Sequence, residues 1–171
     1  MAKRISRREF QEGLSQRLGQ AAQGEASHAW LGVLAGGEHW LFALADAGEI
    51  VPLTQLTQVP LTKPWFAGIA NVRGTLYSVV DFSAFQGGQE TPRNSAARLL
   101  LVGAKHGINS ALLVSQTLGL KNPESLETQA DPAHSPRPWL GECYRDAKGQ
   151  QWHKMLIKPL ITHPDFLDVG L

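Results

Sequence analysis

Short apolar runs separated by turn residues dominate the chain from Ala29 almost to its end. Gly36 and Gly37 lie between the first two runs, and paired glycines supply the positive φ angles that tight hairpin turns require. The segment NVRGTLYSVVDF, residues 71–82, predicts a second hairpin with Gly74 as the residue free to turn. The first half of this region therefore predicts two β-hairpins.

Two more hairpins are predicted further along, with connections at 105–107 and 146–149. Strands that recur about every 8 to 12 residues between glycine-rich connections predict an all-β fold, either a sandwich or small barrels. Residues 121–138 contain four prolines and are predicted to form a long loop. The tail 159–169 predicts one or two helical turns, broken at Pro164.

Residues 6–18 predict an amphipathic helix ahead of the β-rich region. Ser6 and Glu9 have the spacing of a capping box. Three apolar residues then fall near one helical face, namely Phe10, Leu14 and Leu18. The polar stretch that follows lacks periodicity, which indicates a linker. The sequence therefore predicts an N-terminal helix and linker over 1–27 and one β-rich domain over 28–171.

Composition and charge exclude several classes of ligand. The 171 residues include 16 lysines and arginines against 15 aspartates and glutamates, a formal net charge of +1. Nucleic acid and anionic membranes are normally met by a clustered basic surface, so neither is the expected main ligand. The basic N-terminus lacks the apolar region of a signal peptide, and the single cysteine, Cys143, fits a reducing compartment. We therefore expect a cytoplasmic protein.

Candidate chemistry is sparse. Neither a nucleophile elbow nor a phosphate-binding loop nor a dinucleotide fingerprint occurs in the sequence. Three alternatives to a protein-binding module stay open: a metal site among six histidines without ligand-like spacing, an enzyme that uses Cys143, and a small-barrel nucleic-acid binder that stacks bases on its five tryptophans. Cys143 lies in a predicted strand, where a lone cysteine is more often a small buried apolar residue. The pattern favours a non-enzyme.

Residues 64–82, PWFAGIANVRGTLYSVVDF, resemble the central signature of the CheW-like family of chemotaxis coupling proteins. The upstream segment GGEHWLFALADAGEIV and the later hairpins follow in the family's order, so the resemblance covers residues 29–168. The positions that match the signature are Gly68, Ile69, Asn71, Val72, Arg73, Gly74, Val79, Val80, Asp81 and Phe82.

The resemblance implies two packed five-stranded SH3-like β-barrels, with an N-terminal helix and a short C-terminal helical segment. It implies a non-enzymatic adaptor, without cofactor or metal, that joins a membrane chemoreceptor to a CheA-type histidine kinase at an inner-membrane array. The wording around the turn, the N-terminal extension and the closing FLDVGL are similar to the subgroup of type IV pilus twitching-motility systems, whose receptor is called PilJ and whose kinase is called ChpA or PilL. A coupling protein of a flagellar chemotaxis array is the alternative within the family.

The resemblance also assigns roles to residues. It implies a receptor-binding set of Ala47, Glu49, Ile50 and Arg73, although the family often has a larger aliphatic residue at position 47. It implies a structural set of Gly68, Asn71, Gly74 and Asp81. Three hypotheses remain open for Arg73, which is a solvated turn residue, clamps its hairpin or contacts the receptor. Glu49 is alternatively a solvated charge at a strand edge.

Overall fold

The computed structural model describes residues 29–129 and 136–171. The predicted N-terminal helix and linker lie outside the described residues. Twelve strands occur within the described part: β1 Trp30–Ala35, β2 Glu38–Ala43, β3 Ala47–Pro52, β4 Leu56–Thr57, β5 Phe66–Val72, β6 Thr75–Asp81, β7 Arg98–Val102, β8 Ser110–Val114, β9 Gln116–Lys121, β10 Glu127–Thr128, β11 Leu140–Arg145 and β12 Gln151–Met155. Three short α-helices accompany them: α1 Phe82–Phe85, α2 Ile157–Ile161 and α3 Pro164–Leu167.

The strands form two mixed sheets of six strands each. Sheet 1 has the order β10-β11-β12-β2-β1-β9, and sheet 2 has the order β3-β7-β8-β6-β5-β4. Each sheet consists of five longer strands and one strand of two residues, β10 in sheet 1 and β4 in sheet 2. The all-β prediction with two subdomains is confirmed, and the two-residue strands account for the sixth strand of each sheet.

All four predicted hairpins are present. The pairs β1–β2, β5–β6, β7–β8 and β11–β12 are antiparallel. Gly36 and Gly37 have φ angles of 60° and 78°, as the first turn requires. The predicted C-terminal turns are α2 and α3, and Pro164 begins α3, where its missing N–H leaves no helical bond unmade.

The prediction of a continuous loop over 121–138 is wrong in part. Lys121 still belongs to β9, a short 3-10 helix covers Pro123–Ser125, and Glu127 and Thr128 pair with Arg145 and Tyr144 of β11. Prolines indicate irregular backbone, but the residues between them can still form strand pairs. The pairing of β10 was not predicted because its partner, β11, is distant in the sequence.

The two sheets pack against each other through a central apolar cluster. Sheet 1 contributes Leu31, Val33, Ala35, Trp40, Phe42 and Met155, and sheet 2 contributes Val80, Leu100, Val102, Leu112 and Val114. Helices α2 and α3 add Ile157, Leu160, Ile161 and Phe166 to the same cluster. Because side chains alternate along a strand, the opposite faces form separate clusters, one around Leu99, Leu101 and Leu113 in sheet 2 and one around Leu41, Tyr144 and Trp152 in sheet 1.

Candidate functional site

The hairpin that carries Arg73 has a loop of two residues. Val72 pairs with Thr75, which leaves Arg73 and Gly74 as the loop, with φ angles of 51° and 86°. Two positive φ angles define a type I′ turn, the turn whose twist matches that of antiparallel strands. The Asn71 carboxamide oxygen accepts a bond from the Gly74 N–H at 2.8 Å and fixes the turn further. Arg73 therefore forms part of the turn, as one of the hypotheses for it supposes, and it shares with Gly74 the positive φ that the sequence predicted for Gly74 alone.

The Arg73 guanidinium pairs with the Glu49 carboxylate, which lies on β3. The hydrogen bond and the charge of Glu49 raise the pKa of Arg73 above its ordinary value. The Arg73 side chain remains 71% exposed and the Glu49 side chain 40% exposed. Water and salt screen an ion pair at this exposure, so its contribution to stability is small. The pair ties the hairpin to β3 and at the same time presents two opposite charges to solvent.

Ala47 and Ile50 lie on the other face of β3 from Glu49. Ala47 is opposite Val102 and Ile50 is opposite Leu100, both members of the central cluster, against which Ala47 and Ile50 also pack. Glu49 is opposite Leu101, which belongs to the cluster on the other face of sheet 2. An irregularity in the register between Ala47 and Glu49 produces this division.

The predicted receptor-binding set is therefore divided in space. Glu49 and Arg73 are brought together at the surface, whereas Ala47 and Ile50 are half-buried against the core. The turn ahead of Ala47 is anchored, because the Asp46 carboxylate forms a salt bridge with Lys105 at 3.1 Å and the Asp46 backbone carbonyl accepts from the Gly103 N–H at 2.7 Å. This end of β3 is thus held against the segment that follows β7.

Gly68 is placed where a side chain would not fit. Its φ is 132°, and a Cβ atom added there would lie 2.5 Å from the Thr57 carbonyl oxygen on the neighbouring β4. Real Cβ atoms do not approach a backbone oxygen this closely. Gly68 is therefore required by the close approach of β4 and β5.

Asp81 is a buried anchor for the segment after β6. Its carboxylate accepts from the Thr91 N–H and from the Thr91 hydroxyl, each at 2.7 Å, and it caps α1 by accepting from the Ala84 N–H at 3.3 Å. Three donors satisfy the charge that burial would otherwise make costly. The resemblance placed Asp81 in the structural set, but nothing in the sequence pointed to Thr91, which lies ten residues further along.

The other chemical candidates do not form a site in the described ranges. Cys143 lies in β11 and is buried. No group of three or more His, Cys, Asp or Glu side chains within residues 29–129 and 136–171 is arranged to hold a metal ion. Trp40, Trp139 and Trp152 are buried, and Trp30 and Trp65 are half-buried, so stacking on exposed tryptophans finds no support. None of the helices in the described ranges has the length and apolar character needed to cross a membrane.

Comparison with known proteins identifies the family. A family model described as the CheW-like domain matches residues 29–162. The chain belongs to the CheW-like family of chemotaxis coupling proteins. The match takes in both sheets, from β1 to the end of α2. The family predicted from the signature around Arg73 is thereby confirmed.

Two relatives extend the comparison. Protein PilI of Pseudomonas aeruginosa is 29% identical over 160 residues, which covers 90% of this chain and 87% of that protein. The crystal structure of the scaffolding protein TtCheW from Thermoanaerobacter tengcongensis superposes with a TM-score of 0.62 at 17% identity and covers 75% of this chain and 88% of that one. The structural likeness shows the CheW-like fold, and the sequence likeness to PilI confirms the predicted similarity to that subgroup.

Proposed function

We propose that the protein is a non-enzymatic adaptor that couples a membrane chemoreceptor of the PilJ type to a CheA-type histidine kinase of the ChpA or PilL type. The pathway would be the chemosensory system that controls type IV pilus twitching motility, with the adaptor held at the inner membrane through its partners. The observation that carries the proposal is the similarity to PilI, which runs along 90% of the chain and thus includes both sheets. Membership of the CheW-like family supports the adaptor role.

The exposed ion pair supports a receptor contact at β3 and the β5–β6 hairpin. Arg73 occupies a backbone conformation that a glycine would adopt at no steric cost. An arginine in such a position is explained by what its side chain does, and here it reaches Glu49 while staying largely exposed. We assign Glu49 and Arg73 to charge-dependent contact with the receptor, and Ala47 and Ile50 to supporting β3 from the core side.

Coupling requires more than attachment. A receptor can change the activity of the kinase through the adaptor only if the assembly binds two receptor conformations with different affinities. A surface made of one positive and one negative group fits this role, because a small shift of a partner's charges changes both attraction and repulsion. The half-buried residues behind it keep the surface rigid.

Charge reversal at Glu49 tests the receptor contact. Glu49→Lys places two positive charges together and should weaken binding of a receptor tip fragment by roughly tenfold, since reversed charges lose complementarity. Binding can be measured by calorimetry at low and moderate salt, with circular dichroism to establish that the fold is intact. Asp168→Lys is the matched control, because it disrupts another exposed ion pair, Lys63–Asp168 at 3.1 Å.

A charge swap separates contact from clamping. Glu49→Arg combined with Arg73→Glu restores the internal pair but inverts the charges that a partner meets. We expect the swap to recover thermal stability and to leave receptor binding weak. Recovery of receptor binding in the swap, or unchanged binding of Glu49→Lys, would show that these charges do not contact the receptor.

The same fragments discriminate the flagellar alternative. Receptor tips and kinase regulatory domains from a pilus system and from a flagellar system can be compared under identical conditions. Preference for the pilus pair supports the proposed pathway. Preference for the flagellar pair would replace it with a flagellar array, and binding to neither at low salt would remove the adaptor role itself.

A further inference from the structure

An exposed apolar patch lies beside the start of β5 and has no role in the contacts described above. Its members are Val59, Leu61, Leu167 and Leu171, with exposures of 38%, 80%, 61% and 84%. Two distant parts of the chain meet there. Thr62 forms an isolated antiparallel bridge with Gly170, the Leu171 N–H donates to the Leu61 carbonyl at 3.1 Å, and the Lys63 N–H donates to the Val169 carbonyl at 2.8 Å.

Backbone strain at Leu61 indicates a function for the patch. Leu61 has a φ of 58°, and it shares this positive-φ region with only one other non-glycine residue of the described ranges, Arg73. The Leu61 backbone takes part in the bridge to the C-terminal residues, but its side chain is 80% exposed, so core packing does not explain why an apolar residue occupies this unfavourable conformation. An outlier of this kind is typical of a residue that meets a ligand or another segment. Leu61 and Leu171 are adjacent across the bridge, since the Leu171 N–H donates to the Leu61 carbonyl.

We propose that the N-terminal segment 6–18 of the same chain docks on this patch. The sequence of that segment predicts a helix with an apolar stripe of Phe10, Leu14 and Leu18. The three residues span about 12 Å along a helix, which suits a patch of four side chains. Basic residues precede and enter the segment at Lys3, Arg4, Arg7 and Arg8, and the exposed Asp165 carboxylate lies two residues before Leu167. Asp168, which follows Leu167, is already paired with Lys63.

The size of the patch favours a tethered occupant over a separate molecule. A stable complex between two proteins uses about 20 to 30 residues on each side. Four apolar residues are too few for a second copy of this chain, but a tethered segment has an effective concentration of about a millimolar, so a small contact suffices. The linker 19–28 has ten residues and can reach about 33 Å, comparable with the breadth of a domain of this size.

Hydrogen exchange on the full chain tests this docking from both sides. Leu14→Asp should speed amide exchange at Lys63 and Leu171 at least fivefold, because both amides donate bonds within the patch and lose their cover. Gln16→Asp is the control on the opposite helical face and should leave both rates unchanged. Exchange is measured in the patch, whereas the substitution lies in the distant segment. A local effect of the substitution therefore cannot account for faster exchange.

The reciprocal variant reads the segment while changing the patch. Leu61→Asn keeps a residue that tolerates positive φ but removes the apolar side chain, so the fold is retained. We expect trypsin to cleave after Arg17 at least fivefold faster in this variant, whereas Leu76→Asn, which alters another exposed leucine, leaves cleavage unchanged. Equal exchange and cleavage in all variants would overturn the proposal. So would protection of the patch that rises with protein concentration, or that needs an added kinase or receptor fragment, because a second molecule would then be the occupant.

Discussion

At Arg73 and at Gly68, the backbone conformation and the space around the Cβ position decide which residue fits. Arg73 adopts a left-handed conformation that disfavours a side chain, and its guanidinium reaches across to Glu49 on β3. Gly68 is fixed by the Thr57 carbonyl oxygen of β4, where no side chain fits. These two signature residues lie five positions apart in the sequence, but the first is explained by an exposed contact and the second by close packing.

Substitutions at Arg73 should separate the effect of its backbone conformation on stability from the effect of its side chain. Arg73→Ala loses the ion pair and keeps the unfavourable φ, whereas Arg73→Gly loses the pair and relieves the φ. We therefore expect the melting temperature of Arg73→Gly to equal or exceed that of Arg73→Ala. The difference between the parent and Arg73→Ala should shrink in 1 M salt, at a Debye length of about 3 Å. A more stable Arg73→Ala would contradict the turn geometry.

Two glycines of the same hairpin provide a matched pair. Gly68→Ala should lower the free energy of unfolding by roughly 2 to 3 kcal/mol, since the new Cβ meets backbone that cannot move away easily. Gly74→Ala has open space around the added Cβ and should cost only about 1 kcal/mol, from its φ of 86°. Urea denaturation measures both values. Equal losses would show that β4 does not approach Gly68 closely.

Elements whose signals are local could be predicted, and those that depend on distant pairing could not. The four hairpins were recognised from Gly36–Gly37, Gly74 and two glycine-containing connections, because a turn and its flanking strands are adjacent in sequence. The parallel pair β2–β12 joins Trp40 to His153, and a parallel pair has no turn between its strands to mark it.

The candidate site could likewise be predicted only where its signals are local in the sequence. The signature predicted the Arg73 hairpin, and the resemblance of the upstream segment implied Glu49, but the register irregularity after Ala47 has no mark in the sequence beyond Gly48. That irregularity separates Glu49 from Ala47 and Ile50. The positive φ of Leu61 was not predicted, because nothing in the sequence between Pro60 and Pro64 indicates it.

The packing of β12 on β2 predicts a dependence of stability on pH. Burial lowers the pKa of His153, with Glu38 raising it and Arg137 lowering it. The unfolded chain, with a histidine pKa of about 6.5, therefore binds a proton more readily than the folded protein. The free energy of unfolding is therefore unaffected by His153 well above a pH of about 6.5, and it should fall as the pH drops from about 7 to 5.

Removing the titrating group should flatten this dependence. His153→Gln keeps a polar side chain of similar reach but cannot gain a proton, so the fall in the urea midpoint between pH 7 and pH 5 should be smaller than in the parent. Identical slopes in the two proteins would mean that His153 does not contribute to the acid sensitivity.

The whole molecule presents its two proposed contact regions at opposite ends of one strand. The Arg73 turn follows the last residue of β5, whereas Leu61 precedes its first residue. A strand of seven residues extends about 20 Å or more. A receptor bound at the ion pair would therefore not reach the apolar patch. The central cluster joins sheets 1 and 2, and a contact on one sheet is therefore connected to the other through packed side chains.

Reconstitution of a ternary complex tests the adaptor role most directly. Sedimentation of the full chain with a receptor tip fragment and a kinase regulatory domain shows whether one molecule holds both at once. We predict a complex of all three with the parent protein, and for Glu49→Lys a kinase complex that carries much less receptor fragment at the same concentrations. If the receptor fragment and the kinase domain displace each other from the parent protein, or if neither binds, the chain does not couple them.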